Sequence, residues 1–172
     1  MIRKLDKKDA FKMFEWMQDN NITKYFDKDF SKYSVNDCKN FIHNSIVNYN
    51  LSNPKNLNFA VTDKSNDYKG TVTLKHINYK TKCAEFAIIL IKEVHGSGLA
   101  KIAFNEIMQY GFKKLDLNFI YFSCKKDNVI ANKFYSKNNA KLIDINILIK
   151  KGVVVKGYNI SLSTFNWYII YK

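Results

Sequence analysis

Two glycines stand close together between an apolar run and an amphipathic segment. Gly96 and Gly98 lie in KEVHGSG, which follows FAIILI and precedes LAKIAFNEIMQYGFKKL. The chain has only 6 glycines in 172 residues, so this pair indicates a backbone that must fold tightly. In a strand-to-helix connection such a loop turns its N–H groups outward, and these groups, with the helix N-terminus, attract phosphate. The glycine pair by itself is therefore compatible both with a phosphate-binding loop and with a plain strand-to-helix turn.

Two familiar phosphate-binding motifs do not match this loop. A P-loop has the pattern GxxxxGK[ST], and the residues before Lys101 do not provide it. The dinucleotide-binding pattern GxGxxG requires a third glycine at the position that Lys101 occupies. What the loop binds must therefore be inferred from the rest of the chain.

Length and composition predict one folded domain over residues 1–172. Hydrophobic residues make up 47% and aromatic residues 15% of the chain, which is typical of a globular core. No apolar run is long enough to span a bilayer, and the charged start MIRKLDKKDAF lacks a secretory segment, so we expect a cytoplasmic protein. The cysteines and histidines show neither a disulfide framework nor zinc-ligand spacing, so no metal is expected.

The net charge of +13 has two interpretations. A basic chain suits a polyanion such as a nucleic acid, a ribosome or a phosphate-bearing small molecule. Alternatively, the lysines form an ordinary solvated surface, because they occur in nearly every segment and form no arginine-rich cluster. The aromatic motifs of RNA-binding domains are absent from the sequence, so nucleic acid is not the partner that it favours.

Hydrophobic periodicity predicts an α+β fold with a mixed sheet. Asp6 is placed to cap a first helix, Ser34 with Asp37 has the spacing of a capping box that begins a second, and residues 20–33 between them form a loop. Further helices follow the glycines and the strand NFIYFSC. The predicted strands are MIRKL, LNFAVTD, the hairpin YKGTVTLKHINY with KCAEFAIILI, NFIYFSC, KLIDINILIK and ISLSTFNWYIIY. The expected sheet is mostly antiparallel and seven-stranded, flanked by about four helices.

Three segments in order resemble one family. EVHGSGLA resembles the (Q/R)xxGx(G/A) acetyl-CoA loop of the GNAT superfamily of N-acetyltransferases. NVIANKFYSKNNAKL resembles its NxxAxxxYxKxGF segment, with Asn128, Ala131, Tyr135 and Lys137 at the matching positions. AEFAIILIKEVHGSG resembles a stretch of one branch that has an acidic residue where this chain has Glu85. The element order also matches that fold.

Two positions depart from the family pattern. Glu93 replaces the usual Gln or Arg at the start of the loop, and a carboxylate facing pyrophosphate would be repulsive, so we expect its side chain to point away. Asn139 and Ala140 replace the usual Gly-Phe after the second motif. Asparagine tolerates the left-handed conformation that glycine would adopt there, so this change is expected to be harmless.

The resemblance implies a site for acetyl-CoA. The backbone of Ile89, Leu90 and Ile91 would pair with the pantetheine arm, and Asn128 would bond to the same arm. The pyrophosphate would lie on main-chain amides of His95, Gly96, Ser97, Gly98, Leu99, Ala100 and Lys101. Tyr135 would protonate the leaving thiolate, although taken alone it also suits a core position.

Glu85 is the candidate base. In this role it would deprotonate the amine directly or through water. Alternatively it orients the substrate or faces solvent, and an amine of low pKa reacts without a strong base.

The acceptor is predicted by a weaker resemblance. MFEWMQDNNITKYF resembles LxxWxNDxxVxxY of two branches, one acetylating ribosomal-protein N-termini and the other amino groups of nucleotide-linked sugars. Trp16, Asp19 and Tyr25 would line the acceptor side, with simple packing as the alternative. The expected function is acetylation of a small-molecule amine, an amino sugar on a nucleotide, by a homodimer. The alternatives are N-terminal protein acetylation and a non-catalytic basic binding module.

Overall fold

The computed structural model describes residues 1–26, 28–153 and 164–172. Its strands are β1 (Ile2–Lys4), β2 (Leu57–Thr62), β3 (Tyr68–Asn78), β4 (Cys83–Leu90), β5 (Phe119–Lys125), β6 (Lys141–Leu142) and β7 (Phe165–Tyr171). They form one sheet in the order β1-β2-β3-β4-β5-β7-β6. Within these ranges β4 and β5 run parallel and the other neighbouring pairs antiparallel, which confirms the predicted α+β architecture.

The helices that the described residues form outnumber the expected four. They are α1 (Ala10–Met17), α2 (Asn20–Thr23), α3 (Val35–Asn48), α4 (Leu99–Gln109), α5 (Val129–Lys137) and α6 (Ile145–Lys150). One addition is α2, a single turn inside the predicted loop, which begins where Asp19 accepts a hydrogen bond from the amide of Asn21.

The second addition corrects a predicted strand. KLIDINILIK is extended only over Lys141–Leu142, and α6 then begins after Asp144, whose carboxylate accepts from the amide of Asn146 at 2.7 Å. Aspartate at this position satisfies an otherwise unpaired N–H of the first turn, and a helix follows. Only part of the last predicted strand can be compared, because residues 160–163 lie outside the described residues, and from Phe165 the strand is confirmed.

Local sequence signals placed two helix starts correctly. Asp6 accepts from the amide of Lys8 at the turn that leads into α1. Ser34 and Asp37 form the expected reciprocal capping box at the start of α3. These caps orient the two helices that cover one face of the sheet.

The core has two main layers, one on each face of the sheet. On one face α4 and α5 pack their side chains, including Phe104 and Tyr135, onto Phe86 and Phe122. On the other face α1 and α3 cover Ala60 and their neighbours. No helix in the described part of the chain has the length and apolar character needed to cross a membrane.

Candidate functional site

The strands β4 and β5 part halfway along their length. They pair in parallel only from Cys83 with Phe119 to Glu85 with Tyr121. Strand β4 nevertheless continues to Leu90 while still paired with β3 on its other side. We call the opening beyond Glu85 and Tyr121 the fork. A strand with one unpaired edge can accept an extended ligand by main-chain hydrogen bonds.

Among Ile89, Leu90 and Ile91, one residue has main-chain groups that face the fork. The amide of Ile91 donates to the carbonyl of Lys69 at 2.9 Å, so it is already used on the β3 side. Residues of an antiparallel pair alternate in the side to which their N–H and C=O point. The N–H and C=O of Ile89 therefore also point to β3, and those of Leu90 point into the fork. His95 Nε2 lies 3.2 Å from the carbonyl oxygen of Leu90. Of the three residues expected to pair with the pantetheine arm, only Leu90 therefore presents its main-chain groups to the fork.

Both glycines of the loop have a backbone conformation that favours glycine. Gly96 has φ 80° and Gly98 has φ 83°, in the left-handed region that is strained for other residues. Gly98 is also the residue from which α4 begins. A Cβ built at either position would meet no other atom within 4 Å, so the space in front of the loop is open.

Three main-chain donors of this loop have no partner among residues 1–26, 28–153 and 164–172. Between His95 and Lys101, four amides donate within the loop or the first helical turn; they belong to His95, Ser97, Leu99 and Lys101. The amides of Gly96, Gly98 and Ala100 have no hydrogen-bond partner in the part of the chain that the structure describes. Unpaired N–H groups at the positive end of a helix form an anion site, and this arrangement suits a pyrophosphate.

Glu93 lies outside this group of amides. It is exposed in the short turn before the glycines and lines a cleft of ≈ 530 Å³ between α1, the start of β3 and the end of β4. We call this concavity the α1 cleft. None of the residues from His95 to Lys101 lines it. Glu93 and the unpaired amides therefore do not line the same cleft.

Tyr135 is buried beside the fork. Its ring centroid lies 4.5 Å from that of Phe122 and 6.3 Å from that of Phe86, the first residues of β5 and β4 beyond the parallel pairing. The phenol oxygen has no hydrogen-bond partner among the described residues, although the side chain is only 7% exposed. Burial raises the pKa of the phenol, and Cys124 and Tyr168 raise it further. The group therefore stays protonated near neutral pH and can act as a donor.

Glu85 lies at the base of the fork on the opposite face. It is 4% exposed, and its two oxygens contact Lys75 Nζ at 2.9 Å and His76 Nδ1 at 3.0 Å. The next residue, Phe86, packs towards Tyr135, and successive side chains of a strand point to opposite faces. No pattern in the sequence pointed to His76 or Lys75, because the HIN stretch predicts only a strand.

Asn128 has a structural role besides its expected one. Its side-chain oxygen accepts from the amide of Ala131 at 3.1 Å and so caps α5. The side-chain nitrogen has no partner among the described residues and stays free to donate. At the other end of α5, Asn139 has φ 63°, and Ala140 N–H bonds to the carbonyl of Tyr135 at 3.3 Å. The left-handed conformation expected for Asn139 is confirmed.

The three expected acceptor residues do not lie together. Trp16 is 4% exposed, and its Nε1 donates to Tyr68 Oη at 3.0 Å. This arrangement fits the alternative that Trp16 packs in the core. Trp16 and Asp19 both line the α1 cleft. Tyr25 is not part of that lining, and its ring lies 5.0 Å from Lys24 Nζ.

Asn132 ties α5 to the sheet, a role that the sequence did not reveal. Its Nδ2 donates to the carbonyl oxygens of Lys125 and Asn128, each at 2.8 Å. Its Oδ1 accepts from Tyr168 Oη at 2.7 Å and from Asn166 Nδ2 at 2.8 Å. The helix that bears Tyr135 is thus fixed to β5 and β7. Among the described residues, no group of three or more side chains could hold a metal ion.

Comparisons with known proteins agree with this geometry. A family model described as an acetyltransferase (GNAT) domain matches residues 1–141. A spermidine N(1)-acetyltransferase of Vibrio cholerae serotype O1 is 35% identical over 79 residues, which is 46% of each chain. Its counterpart from Escherichia coli strain K12 is 38% identical over 77 residues, 45% of this chain and 41% of that one. The matches thus span about half the length of these curated relatives.

Solved structures extend the likeness in fold over the whole chain. The crystal structure of spermidine N-acetyltransferase from V. cholerae in complex with CoA and spermine has a TM-score of 0.78 and 23% identity. The alignment covers 99% of this chain and 94% of that one. A dodecameric structure of the V. cholerae enzyme has a TM-score of 0.71 and 22% identity, with 99% and 92% of the two chains covered.

Proposed function

Because the chain belongs to the GNAT acetyltransferase family, we propose that it transfers an acetyl group from acetyl-CoA to a primary amine of a small molecule. The observation that carries this proposal is the fork. The loop after β4 has amides that are unpaired within the described residues. The Tyr135 hydroxyl, also without a partner there, belongs to a ring packed on the first residues of the fork. Both features would be unexplained in a non-catalytic basic module.

The residues of the fork suit acetyl-CoA. The amides of Gly96, Gly98 and Ala100 would bind its pyrophosphate, and the main chain of Leu90 would pair with its pantetheine arm. Acetyl-CoA supplies an activated thioester. The protein groups that would bind acetyl-CoA are main-chain atoms, so the backbone sets their position and side-chain rotamers do not.

Acetyl transfer to an amine requires two proton movements. An alkylammonium must lose a proton before its nitrogen can attack, and the departing thiolate must gain one. Glu85 is the carboxylate at the base of the fork and would take the first proton. The Tyr135 hydroxyl would supply the second. The two side chains lie on opposite faces of the sheet. Proton uptake from the amine and proton donation to the thiolate would therefore take place on different sides of it.

We propose a polyamine as the acceptor. The matched relatives are spermidine acetyltransferases, which supports a polyamine and gives no support to the amino sugar on a nucleotide that the sequence suggested. The net charge of +13 repels a polycation at long range, so local carboxylates must attract it. Glu85 at the fork, with Glu93 and Asp19 at the α1 cleft, would supply them.

A substrate panel tests this proposal. The purified protein is incubated with acetyl-CoA and, separately, with spermidine, spermine, a nucleotide-linked amino sugar and a peptide with a free N-terminus, and CoA release is measured. We expect turnover with the polyamines, lost in Tyr135→Phe. Turnover only with the peptide or the sugar would replace the polyamine by that acceptor, and no turnover with any amine would overturn the acetyltransferase proposal.

A homo-oligomer is the proposed assembly. The dodecameric neighbour supports self-association of this fold, and a homodimer was the expectation from sequence. Light scattering coupled to size-exclusion chromatography measures the mass directly. A mass equal to that of one 20.2 kDa chain at assay concentration would contradict it.

A further inference from the structure

A bulge in β3 places His76 against Glu85. Strands β3 and β4 pair residue for residue from Gly70 with Leu90 to Lys75 with Glu85, and the next pair is Asn78 with Cys83. Two residues of β3 therefore stand opposite one residue of β4. Such an extra residue bends the strand and re-aims a side chain, and bulges are frequent beside active sites.

His76 holds an unfavourable backbone conformation at this bulge. Its φ is 53°, in the left-handed region that costs a residue other than glycine about 1–2 kcal/mol. Neighbouring groups compensate, because the His76 amide donates to Asn56 Oδ1 at 3.0 Å and the Ile77 amide to the carbonyl of Lys55 at 2.9 Å. The segment before β2 thus fixes the bulge. The result is an imidazole whose Nδ1 lies 3.0 Å from Glu85 Oε2.

The pair connects a buried carboxylate to solvent. The Glu85 side chain is 5% exposed, whereas that of His76 is 50% exposed. Lys75 contacts the other carboxylate oxygen, but an ammonium group has no lone pair with which to accept a proton. From β5 the residue registered with Glu85 is Tyr121, a phenol. Of these neighbours on β3 and β5, His76 has the ring nitrogens suited to passing a proton outward.

We propose that His76 carries the acceptor's proton from Glu85 to solvent, an inference that rests on the proposed function. An N–H bond of the ammonium breaks as an O–H bond forms on Glu85. That carboxylic acid then donates to Nδ1 of the neutral Nε2–H tautomer while Nε2–H gives its proton to water. Proton exchange with solvent at the half-exposed ring then moves the proton from Nδ1 back to Nε2 before the next turnover. One proton leaves the site in each turnover, and the step needs no oxidant, reductant or further reactant. His76 acts through Glu85 and is a positioning and relay residue.

The test compares His76→Gln with wild type and with His43→Gln, an exposed histidine of α3. Glutamine keeps a polar side chain beside Glu85 but cannot relay a proton. We expect kcat of His76→Gln to be about 10-fold lower near pH 8, with KM for acetyl-CoA within about 2-fold. His43→Gln should match wild type throughout.

Chemical rescue separates relay from packing. In His76→Ala, removal of the half-exposed ring leaves a site that is open to solvent. Added imidazole should therefore raise the kcat of this variant several-fold. It should not change the kcat of Glu85→Gln. Circular dichroism verifies that each variant is folded. If the wild type acetylates an amine and His76→Gln has the same kcat at every pH, the relay is wrong while the proposed function stands. A wild type inactive toward every amine overturns the function itself.

Discussion

Glu85 and Tyr135 approach the point where β4 and β5 part from opposite faces of the sheet. Glu85 is the last β4 residue paired with β5, and the following ring, that of Phe86, lies 6.3 Å from the ring of Tyr135. The sheet therefore separates the proposed proton acceptor from the proposed proton donor. The amine would approach on the Glu85 side and the thiol would leave on the Tyr135 side, so each role can be tested alone.

Replacing Tyr135 by Phe should remove proton donation and leave the fold intact. The phenyl ring keeps the contacts with Phe86 and Phe122, and the lost hydroxyl has no partner among the described residues. We expect kcat to fall by about 10²–10³-fold and the Kd of acetyl-CoA to change by less than about 2-fold. Steady-state kinetics and calorimetry measure the two quantities. Tyr171→Phe, on an exposed ring of β7, is the control, and an unchanged kcat in Tyr135→Phe would exclude Tyr135 as the acid.

A side chain at Gly96 should weaken acetyl-CoA binding. Gly96→Val places a branched group in the open space before the unpaired amides and strains a residue with φ 80°. The Kd of acetyl-CoA should rise by more than about 10-fold, equivalent to over about 1.4 kcal/mol. Gly152→Ala is the control for backbone strain, since Gly152 also has a left-handed φ, 84°, and its added Cβ would meet Thr81 Cγ2 at 2.9 Å instead of open space. Normal titration by a folded Gly96→Val protein would refute the phosphate-binding role of the loop.

Loss of the Asn132 side chain should loosen α5. Asn132→Ala leaves Tyr168 Oη and two main-chain carbonyl groups without this partner, at a cost of about 2 kcal/mol in unfolding free energy. For a chain of this size that lowers Tm by about 4–8 °C. Turnover should also fall, because Tyr135 lies one turn further along α5. Thermal denaturation of Asn105→Ala, an exposed position of α4, provides the comparison, and an equal Tm in both variants would contradict this role.

Stability should decline in alkaline solution. Burial, with a smaller effect of Asp127, raises the pKa of the Cys124 thiol from 9.0 to about 11, and burial also raises the pKa of Tyr135. The folded state therefore keeps protons that the unfolded chain releases at lower pH. The stability is complete below about pH 8.5 and falls by up to about 3 kcal/mol for Cys124 as pH rises towards 11.

Urea denaturation at a series of pH values checks this decline. Cys124→Ala should lessen the part of the decline that begins near the pKa of an ordinary thiol, while the parts from Cys38, Cys83 and the buried tyrosines persist, because burial raises the pKa of those thiols too. Equal unfolding free energies near pH 8 and pH 10.5 in the wild type would show that the thiol is not protected by the fold.

The sequence by itself determined the features that depend on a few consecutive residues. The capping box of Ser34 and Asp37 needs only two side chains three positions apart. Gly96 and Gly98 mark left-handed backbone because their neighbours in sequence fix the turn, and Asn139 could be assigned for the same reason. The motif around Tyr135 likewise placed that residue on a helix after β5.

The tertiary structure decided which distant groups meet. His76 contacts Glu85 only because a bulge opposite Ala84 shifts the β3 register, and Trp16 is held by Tyr68, 52 positions away. Neither contact leaves a mark in the local pattern. The face on which Glu85 lies depends on pairing with Lys75 and Tyr121 together, since a slip of one residue in a strand moves its side chains to the other face.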